Sequence, residues 1–286
     1  MALEDEFSDI VKKARVGQGL TVAAAAKASG VPTNEFKLLE RGGRTPTREE
    51  CRAIAGALGL KAEALGHIAV DGWTPSSVPE RVSGLETVVG DIGGYAVKGY
   101  VLYDQEAGEG ILVDTGYSPD TMLDFLERNN LRLTGICLTH GHSDHAGGID
   151  RILERWRVPV YLGVEDLDLL SWTPPKDHLV RVAPDEDGRT IAVGALTVRM
   201  MMTPGHTPGG ICYRVENERQ ALCFVGDTLF AGSIGRANPS SLYPVHLKSV
   251  RERVLTLPPS TLLLPGHGPA TTVGEEKTHN PFGHAS

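Results

Sequence analysis

The chain contains the run Thr139-His140-Gly141-His142-Ser143-Asp144-His145, which places three imidazoles and one carboxylate within one short segment. A hydrophobic core has no use for such a cluster. His140 and His142 are alternate residues, so on an extended backbone both side chains point to the same side, and Asp144 and His145 follow where the chain is expected to turn. The run therefore indicates a metal site.

Three single residues downstream can complete such a site, because each stands in a glycine-containing turn: His206, Asp227 and His267. Asp227 and His267 each follow a short apolar run, residues 221–225 and 261–264, which predicts a position at the end of a buried strand. The neighbouring glycines allow the backbone to approach closely. Imidazole and carboxylate ligands suit zinc, iron or manganese, with coordination positions left for water.

These seven residues, in this order, resemble the ligand pattern of the metallo-β-lactamase superfamily, and the resemblance covers about residues 83–282. It implies two divalent metal ions, with zinc expected first and iron or manganese as alternatives. It assigns His140, His142 and His206 to one ion, Asp144, His145 and His267 to the second, and Asp227 to a bridge between them. Asp144 and Asp227 are then the expected catalytic carboxylates. Asp114, which ends the apolar run 110–113, would support the ligands by accepting an imidazole N–H.

A water held between two such ions, about 3.5–4 Å apart, loses a proton near neutral pH, so a bridging hydroxide is the expected nucleophile. Residues 226–236 and 265–282 resemble the glyoxalase II group, especially its shorter bacterial enzymes. The resemblance implies a hydrolase that cleaves a small acyl-thiol substrate, a thioester or ester of the hydroxyacylglutathione type. Arg236 would either bind a substrate carboxylate or hold its own loop by bidentate pairing. The ligand pattern has no cysteine and so resembles the branches with a bridging Asp rather than the lactamase branches that use a Cys ligand, which implies that antibiotic hydrolysis is not expected.

The same ligand residues also resemble those of persulfide dioxygenases, in which two His and one Asp bind a single iron. Ligand identity alone therefore leaves this alternative open. A third alternative is a regulator that binds DNA through its N-terminal part and senses a ligand through its metal domain.

Residues 4–66 are rich in Ala, Leu, Lys and Glu and are punctuated by glycines, which predicts four or five short helices. Within them, residues 19–32 and 38–46 resemble the Cro/repressor-type helix-turn-helix family. This resemblance implies that Thr33, Asn34 and Lys37 face base edges and that Arg41 and Arg44 lie near phosphates. The charges of the segment are nearly balanced rather than strongly basic. A bundle that forms a homodimer or covers the catalytic domain is therefore the alternative to DNA binding.

We accordingly expect an α/β (α+β) protein with a helical domain at residues 1–68, a linker at 69–82 and a catalytic domain at 83–286. Residues 70–80 contain two prolines and several small polar residues, as linkers do. Beyond them, short apolar runs alternate with amphipathic segments. The resemblance implies an αβ/βα sandwich, in which helices cover two stacked sheets.

The composition, with 286 residues, 41% hydrophobic residues and a net charge of −8, is that of an ordinary soluble chain. The acidic start and the lack of a long apolar run favour a cytoplasmic protein without a membrane segment. The four cysteines form no CxxC pair and are expected to be buried and reduced. Five histidines are expected to be isolated at the surface or partly buried and receive no role: His67, His178, His246, His279 and His284.

Overall fold

The computed structural model of the protein describes residues 2–76, 78–79, 81–216 and 220–283. His284, and Ser77 and Glu80 of the predicted linker, lie outside the described residues. The helices are α1 (Phe7–Gly17), α2 (Val22–Ser29), α3 (Thr33–Glu40), α4 (Arg48–Leu58), α5 (Ala62–Ala69), α6 (Pro119–Arg128), α7 (Ser143–Ala146), α8 (Ile149–Arg155), α9 (Tyr243–Lys248) and α10 (Val273–His279). The strands are β1 (Leu85–Ile92), β2 (Tyr95–Asp104), β3 (Glu109–Thr115), β4 (Arg132–Cys137), β5 (Val160–Gly163), β6 (Leu179–Val182), β7 (Thr190–Val193), β8 (Leu196–Met202), β9 (Ile211–Glu216), β10 (Leu222–Gly226), β11 (Leu262–Pro265) and β12 (Thr271–Thr272).

The strands form two six-stranded sheets with the orders β1-β2-β3-β4-β5-β6 and β12-β11-β10-β9-β8-β7. In the first sheet β3, β4, β5 and β6 pair in parallel, and in the second only β10 and β11 do. Along β3, Ile111 and Val113 belong to the core between the sheets, whereas Leu112 belongs to the core under α6 and α8. This alternation is the period of two that a strand buried on both faces requires. The result is the predicted αβ/βα sandwich.

The five N-terminal helices agree with the predicted number, and local signals explain their bounds. The Thr21 hydroxyl accepts the N–H of Ala24 at 3.1 Å at the start of α2, and Gly30, with φ of 69°, ends that helix. Val31 and Pro32 then lead into α3, which completes a helix-turn-helix. Helix α5 extends to Ala69, one residue into the predicted linker.

These helices share one hydrophobic core with the outer face of the second sheet. Ile10, Phe36 and Ile54 belong to the same buried cluster as Val225 of β10 and Val254, which lies in the π-helical turn Ser249–Val254 that follows α9. Lys61 at the start of α5 donates its backbone N–H to the carbonyl of Pro281 at 2.8 Å. The helical bundle therefore covers the two-sheet sandwich, one of the alternatives raised from the sequence.

Two short helices follow the histidine run, and one histidine differs from its prediction. Helices α7 and α8 are separate because Gly147 and Gly148 interrupt them, and Gly148 has a φ of 83°. His246, expected at the surface or partly buried, is fully buried, and its Nε2 donates to the carbonyl of Thr228 at 2.9 Å. The four cysteines are buried and free, as predicted.

Candidate metal centre

The seven candidate ligands lie on loops at one edge of the sandwich, where the sheets bring distant parts of the chain together. His140 and His142 follow β4, and Asp144 and His145 are on α7. The other three lie in the β8–β9 loop, directly after β10 and shortly after β11, respectively: His206, Asp227 and His267. Because β10 and β11 are parallel neighbours, their carboxyl ends place the last two residues side by side.

His140, His142 and His206 form one group, whose ligand atoms lie within 4.8 Å of one another. His142 Nδ1 lies 3.1 Å from His206 Nε2. The ring of His140 stands edge-on to those of both other histidines at centroid distances of 4.7 Å. Three nitrogen donors thus converge on one point.

A second group comprises His145, Asp227 and His267, again within 4.8 Å, with Asp144 beside it. His145 Nε2 lies 3.3 Å from Asp227 Oδ1, and His267 Nε2 lies 3.3 Å from Asp144 Oδ2. Asp227 Oδ2 lies 3.6 Å from His206 Nε2 and 3.7 Å from His267 Nε2. Asp227 is therefore shared between the two groups.

Three buried polar atoms at the centre of the site show that the residues present fit divalent metal ions. His140 Nε2, His145 Nε2 and Asp227 Oδ1 are buried and have no hydrogen-bond partner within the described parts of the chain. A buried polar atom without a partner is costly, and coordination of a cation removes that cost. Nitrogen and carboxylate donors without a thiolate suit zinc, iron or manganese.

The outward nitrogens of the histidines are held by the protein. His206 Nδ1 donates to the carbonyl of Arg236 at 2.8 Å, and His267 Nδ1 donates to the carbonyl of Ala96 at 2.7 Å. A carbonyl can only accept, so each bond fixes the proton on Nδ1 and leaves the Nε2 lone pair free for a metal.

Burial and neighbouring carboxylates set the charge of the ligands in opposite directions. Burial holds the pKa of His140 well below its usual value and lowers the pKa of His206 to about 4, so both rings are neutral. Burial also opposes protonation of His145, but the carboxylates of Asp227 and Asp114 outweigh it and raise the pKa of that ring. His140 and His206 are thus neutral imidazoles, whereas the carboxylates beside His145 and His267 favour the protonated form of those two rings.

Asp114 lies behind the ligands, with its Oδ2 at 2.8 Å from His145 Nδ1. The same carboxylate accepts the backbone N–H and the hydroxyl of Thr139, each at 2.7 Å, and the Thr139 hydroxyl lies 3.0 Å from His140 Nδ1. Asp114 has a φ of 55°, which is unfavourable for a residue with a Cβ and persists because these bonds fix it. Thr139 was not predicted as a site residue, although it directly precedes the histidine run.

Asp166 is a second residue that the sequence did not reveal. Its fully buried carboxylate accepts the N–H of Gly141 at 3.2 Å, the N–H of Gly209 at 2.7 Å and the hydroxyl of Thr207 at 2.7 Å. It therefore ties the loop of His142 to the loop of His206. Its sequence setting, between other acidic residues, carries no local signal.

Arg236 does not hold its loop in the way the sequence suggested. Its side chain is exposed and makes no ion pair within the described part of the chain. The loop is held by backbone bonds instead: Gly235 donates its N–H to the carbonyl of Asp227 at 3.0 Å, and Asn238 donates to the carbonyl of His206 at 3.0 Å. The predicted bidentate pairing of Arg236 within its own loop is therefore wrong. Its other predicted role, binding of a substrate carboxylate, stays a prediction.

The residues expected to contact DNA fall into two groups. Thr33, Asn34, Lys37 and Arg41 are exposed on α3 and at its end. Arg44, in contrast, binds Glu50 and Glu35 within the bundle, with its Nε 3.0 Å from Glu35 Oε2. Because its charge is already neutralised, Arg44 is a poorer phosphate contact than the sequence implied.

No helix in the described part of the chain is both long and apolar enough to cross a membrane.

Comparison with family models gives two matches. Residues 93–267 match the model described as the metallo-beta-lactamase superfamily, and residues 11–65 match a model described as helix-turn-helix. The predicted resemblances to the metallo-β-lactamase superfamily and to a helix-turn-helix family are therefore confirmed.

Individual proteins match the catalytic part. An uncharacterized protein from Aquifex aeolicus is 36% identical over 201 residues, which cover 67% of this chain and 93% of that protein. The hydroxyacylglutathione hydrolase GloC from Haemophilus influenzae is 30% identical, covering 64% of this chain and 90% of the enzyme. Among solved structures, the B3 metallo-beta-lactamase BLEG-1 has a TM-score of 0.60 at 31% identity and covers 70% of this chain and 100% of its own. The protein TTHA1623 in a di-iron-bound form has a TM-score of 0.58 at 31% identity, with 69% and 99% covered.

Proposed function

Because this chain belongs to the metallo-beta-lactamase superfamily, we propose that it is a hydrolase that uses two divalent metal ions to cleave a thioester or ester. One observation carries the proposal. His140 Nε2, His145 Nε2 and Asp227 Oδ1 lie close together, are buried, and have no hydrogen-bond partner among the described residues.

In this proposal His140, His142 and His206 hold one ion, Asp144, His145 and His267 hold the other, and Asp227 serves both. Zinc is the first candidate, with iron or manganese as alternatives. The di-iron form of TTHA1623 supports a binuclear centre in a protein of this fold. When bound, such ions lower the pKa of a water to near neutrality and polarise a substrate carbonyl.

The residues of the chain contribute position and charge to this reaction. The carboxylate of Asp227 places its two oxygens 3.3 Å from His145 Nε2 and 3.6 Å from His206 Nε2, which fixes how far apart the two ligand groups stand. Asp114 and the backbone carbonyls keep the imidazoles in the tautomer that binds metal. No serine or cysteine nucleophile is needed, because solvent is the attacking group.

We take a thioester as the preferred substrate for two reasons. A thiol with a pKa near 8.5 leaves without strong acid assistance, which an amide nitrogen requires. The similarity to hydroxyacylglutathione hydrolase GloC supports the same bond type. Arg236, whose guanidinium is exposed on the loop that follows Asp227, is available to bind a substrate carboxylate.

The test combines metal analysis with two assays on the full chain: hydrolysis of S-lactoylglutathione and oxygen uptake with glutathione persulfide. We expect two metals per chain and hydrolysis that is lost in His206→Ala. His178→Ala, a histidine outside the ligand set whose Nδ1 lies 2.9 Å from the carbonyl of Val158, is the matched control. If the chain instead binds a single iron and consumes oxygen only with the persulfide, the proposed hydrolase is wrong and the protein is a persulfide dioxygenase.

DNA binding is a second candidate function, favoured by the helix-turn-helix match and by the exposed side chains of Thr33, Asn34, Lys37 and Arg41. We propose that α3 of a homodimer contacts DNA and that the metal domain senses a ligand. Lys37→Glu should abolish the shift of genomic fragments in a gel at low salt. Lys176→Glu, an equal charge change on an exposed loop residue, should leave it intact. If the wild-type chain retards no fragment, this function is excluded.

A further inference from the structure

The segment that precedes α1, residues 2–6, lies against the loop that carries His267. The backbone N of Glu4 is 3.0 Å, and its Cβ 3.1 Å, from the position that a Cβ would take on Gly268. Gly268 follows the candidate ligand His267 directly and has a φ of 67°. The N-terminal segment thus passes over the rim of the metal centre.

Two anchors fix this segment in place. The carboxylate of Asp5 is buried, accepts the hydroxyl of Ser233 at 2.5 Å and forms an ion pair with Lys13 of α1. Lys13 Nζ also donates to the carbonyl of Ile234 at 2.8 Å. Ser233 and Ile234 belong to the loop that follows Asp227. The helical bundle is therefore bonded to the loop that follows Asp227 and lies against the loop that carries His267.

An aromatic contact extends this link to the ligand itself. The ammonium of Lys13 lies 4.9 Å above the ring of Phe230, and that ring stands edge-on to the imidazole of His267 at 5.8 Å. Side-chain packing and charge, together with the backbone contact at Gly268, therefore hold the N-terminal segment beside His267.

Within this segment, Glu4 interacts electrostatically with the candidate ligands His267 and Asp227. Burial raises its pKa, and His267, Asp5 and Asp227 are the next strongest influences on it. Burial lowers the pKa of Lys98 to about 8, and Glu4 opposes that shift. The ammonium of Lys98 binds the carbonyl of Gly268. The Cβ of Glu4, 3.1 Å from the position that a Cβ would take on Gly268, places the start of this side chain on the side of the segment that faces the ligand loop.

We infer that Glu4 determines substrate specificity by charge: its carboxylate, contributed by the helical bundle, disfavours an anionic group beside the scissile bond and favours a neutral or cationic one. This inference rests on the proposed hydrolysis. Residues 2–6 lie outside the part of the chain that matches the catalytic family model, residues 93–267. The helical bundle therefore adds a feature to the active site that the catalytic fold alone does not supply.

The experiment compares three substrates with one acyl group and different charge on the thiol: acetylthiocholine, S-ethyl thioacetate and S-acetyl-3-mercaptopropionate. Thiol release is followed with a chromogenic disulfide for the zinc-loaded full chain and for Glu4→Gln. We expect kcat/KM for the anionic substrate, relative to the cationic one, to rise about threefold to tenfold in the variant, the effect of one partly exposed charge. Glu49→Gln, which removes an exposed carboxylate on α4, should leave this ratio unchanged.

A second measurement does not depend on turnover. Calorimetry compares binding of 3-mercaptopropionate and 2-mercaptoethanol to the zinc-loaded chain, and Glu4→Gln should tighten only the anionic thiol. Unchanged selectivity in both measurements would overturn the inference, even with full hydrolysis. If the wild-type chain cleaves no thioester but Glu4→Gln still tightens 3-mercaptopropionate, the proposed hydrolysis fails and the role of Glu4 stands.

Discussion

Glu276 on α10 joins the C-terminal helix to the loop that follows Asp227, and its buried carboxyl makes the stability of the protein depend on pH. Its side chain is fully buried. One oxygen accepts the hydroxyl of Thr271 at 2.7 Å, and the other accepts the amide of Asn280 at 2.8 Å and the N–H of Gly232 at 3.0 Å. Gly232 lies in the loop that follows Asp227. Glu276→Gln keeps the shape of the side chain and removes its charge.

Burial raises the pKa of Glu276 from an ordinary 4.5 to about 7, against the three hydrogen bonds, which lower it. Below pH 4.5 the carboxyl is protonated in both the folded and the unfolded chain. Between about 4.5 and 7 only the folded chain keeps the proton, so stability falls as the pH rises, by ~1.4 kcal/mol per pH unit. Above pH 7 the folded chain holds a buried carboxylate, and the whole contribution, about 3 kcal/mol, is lost.

The assay is urea unfolding of the wild-type chain and of Glu276→Gln at intervals from pH 5 to pH 8. The free energy of unfolding of the wild type, relative to the variant, should fall by about 2–3 kcal/mol over this range. The other titrating groups contribute equally to both chains, so the difference between the two free energies of unfolding reports on Glu276. Glu106→Gln, at an exposed position, is the matched control and should follow the wild-type curve. A wild-type-to-variant difference that stays constant with pH would refute the reasoning.

Three further outcomes follow from the contacts around the ligands. Asp114→Asn should weaken zinc binding about 10- to 100-fold, because His145 loses the carboxylate that orients it, and competition with a chromophoric chelator measures this; unchanged affinity would contradict it. Asp166→Ala leaves three buried donors without their acceptor, so we expect a loss of stability of at least ~2 kcal/mol in urea and, by metal analysis, preferential loss of the ion held by His142 and His206; two retained ions at full stability would exclude it. Gly226→Ala places a Cβ 2.3 Å from the hydroxyl of Thr139 at a φ of 48°, so its melting temperature should fall, whereas Gly56→Ala, in open space, should not lower it.

The ligand set could be read from the sequence because its signal is local. Four of the seven residues stand within one short run, and Asp227 and His267 each follow an apolar run that became a strand, β10 or β11. Strands within the sandwich carry a local signal as well, since burial alternates along β7 and along the first five residues of β8 as a two-residue period requires. Whether the seven side chains bind metal stays a prediction.

The supporting residues could not be read in this way. Asp166 acts only because the fold brings residues 141 and 207–209 to its carboxylate, and these lie 25 to 43 positions away along the chain. Helix α10 is different, because it has a start signal that was available: the hydroxyl of Thr272 accepts the N–H of Glu275 at 3.2 Å, the arrangement that a Thr followed three residues later by Glu predicts.

The shared core changes what a truncation experiment can show. Removing residues 1–68, which the sequence would treat as a separate domain, would take away the bundle's part of the buried cluster that also contains Val225, Val254 and Phe282. It would also remove Lys13 and Asp5, which bind the loop after Asp227. A large apolar surface uncovered in this way favours aggregation. We therefore expect the truncated chain to be insoluble or to lose metal, so point substitutions in the full chain are the informative variants. A soluble, fully active residue 69–286 fragment would show that the bundle and the catalytic sandwich are energetically independent.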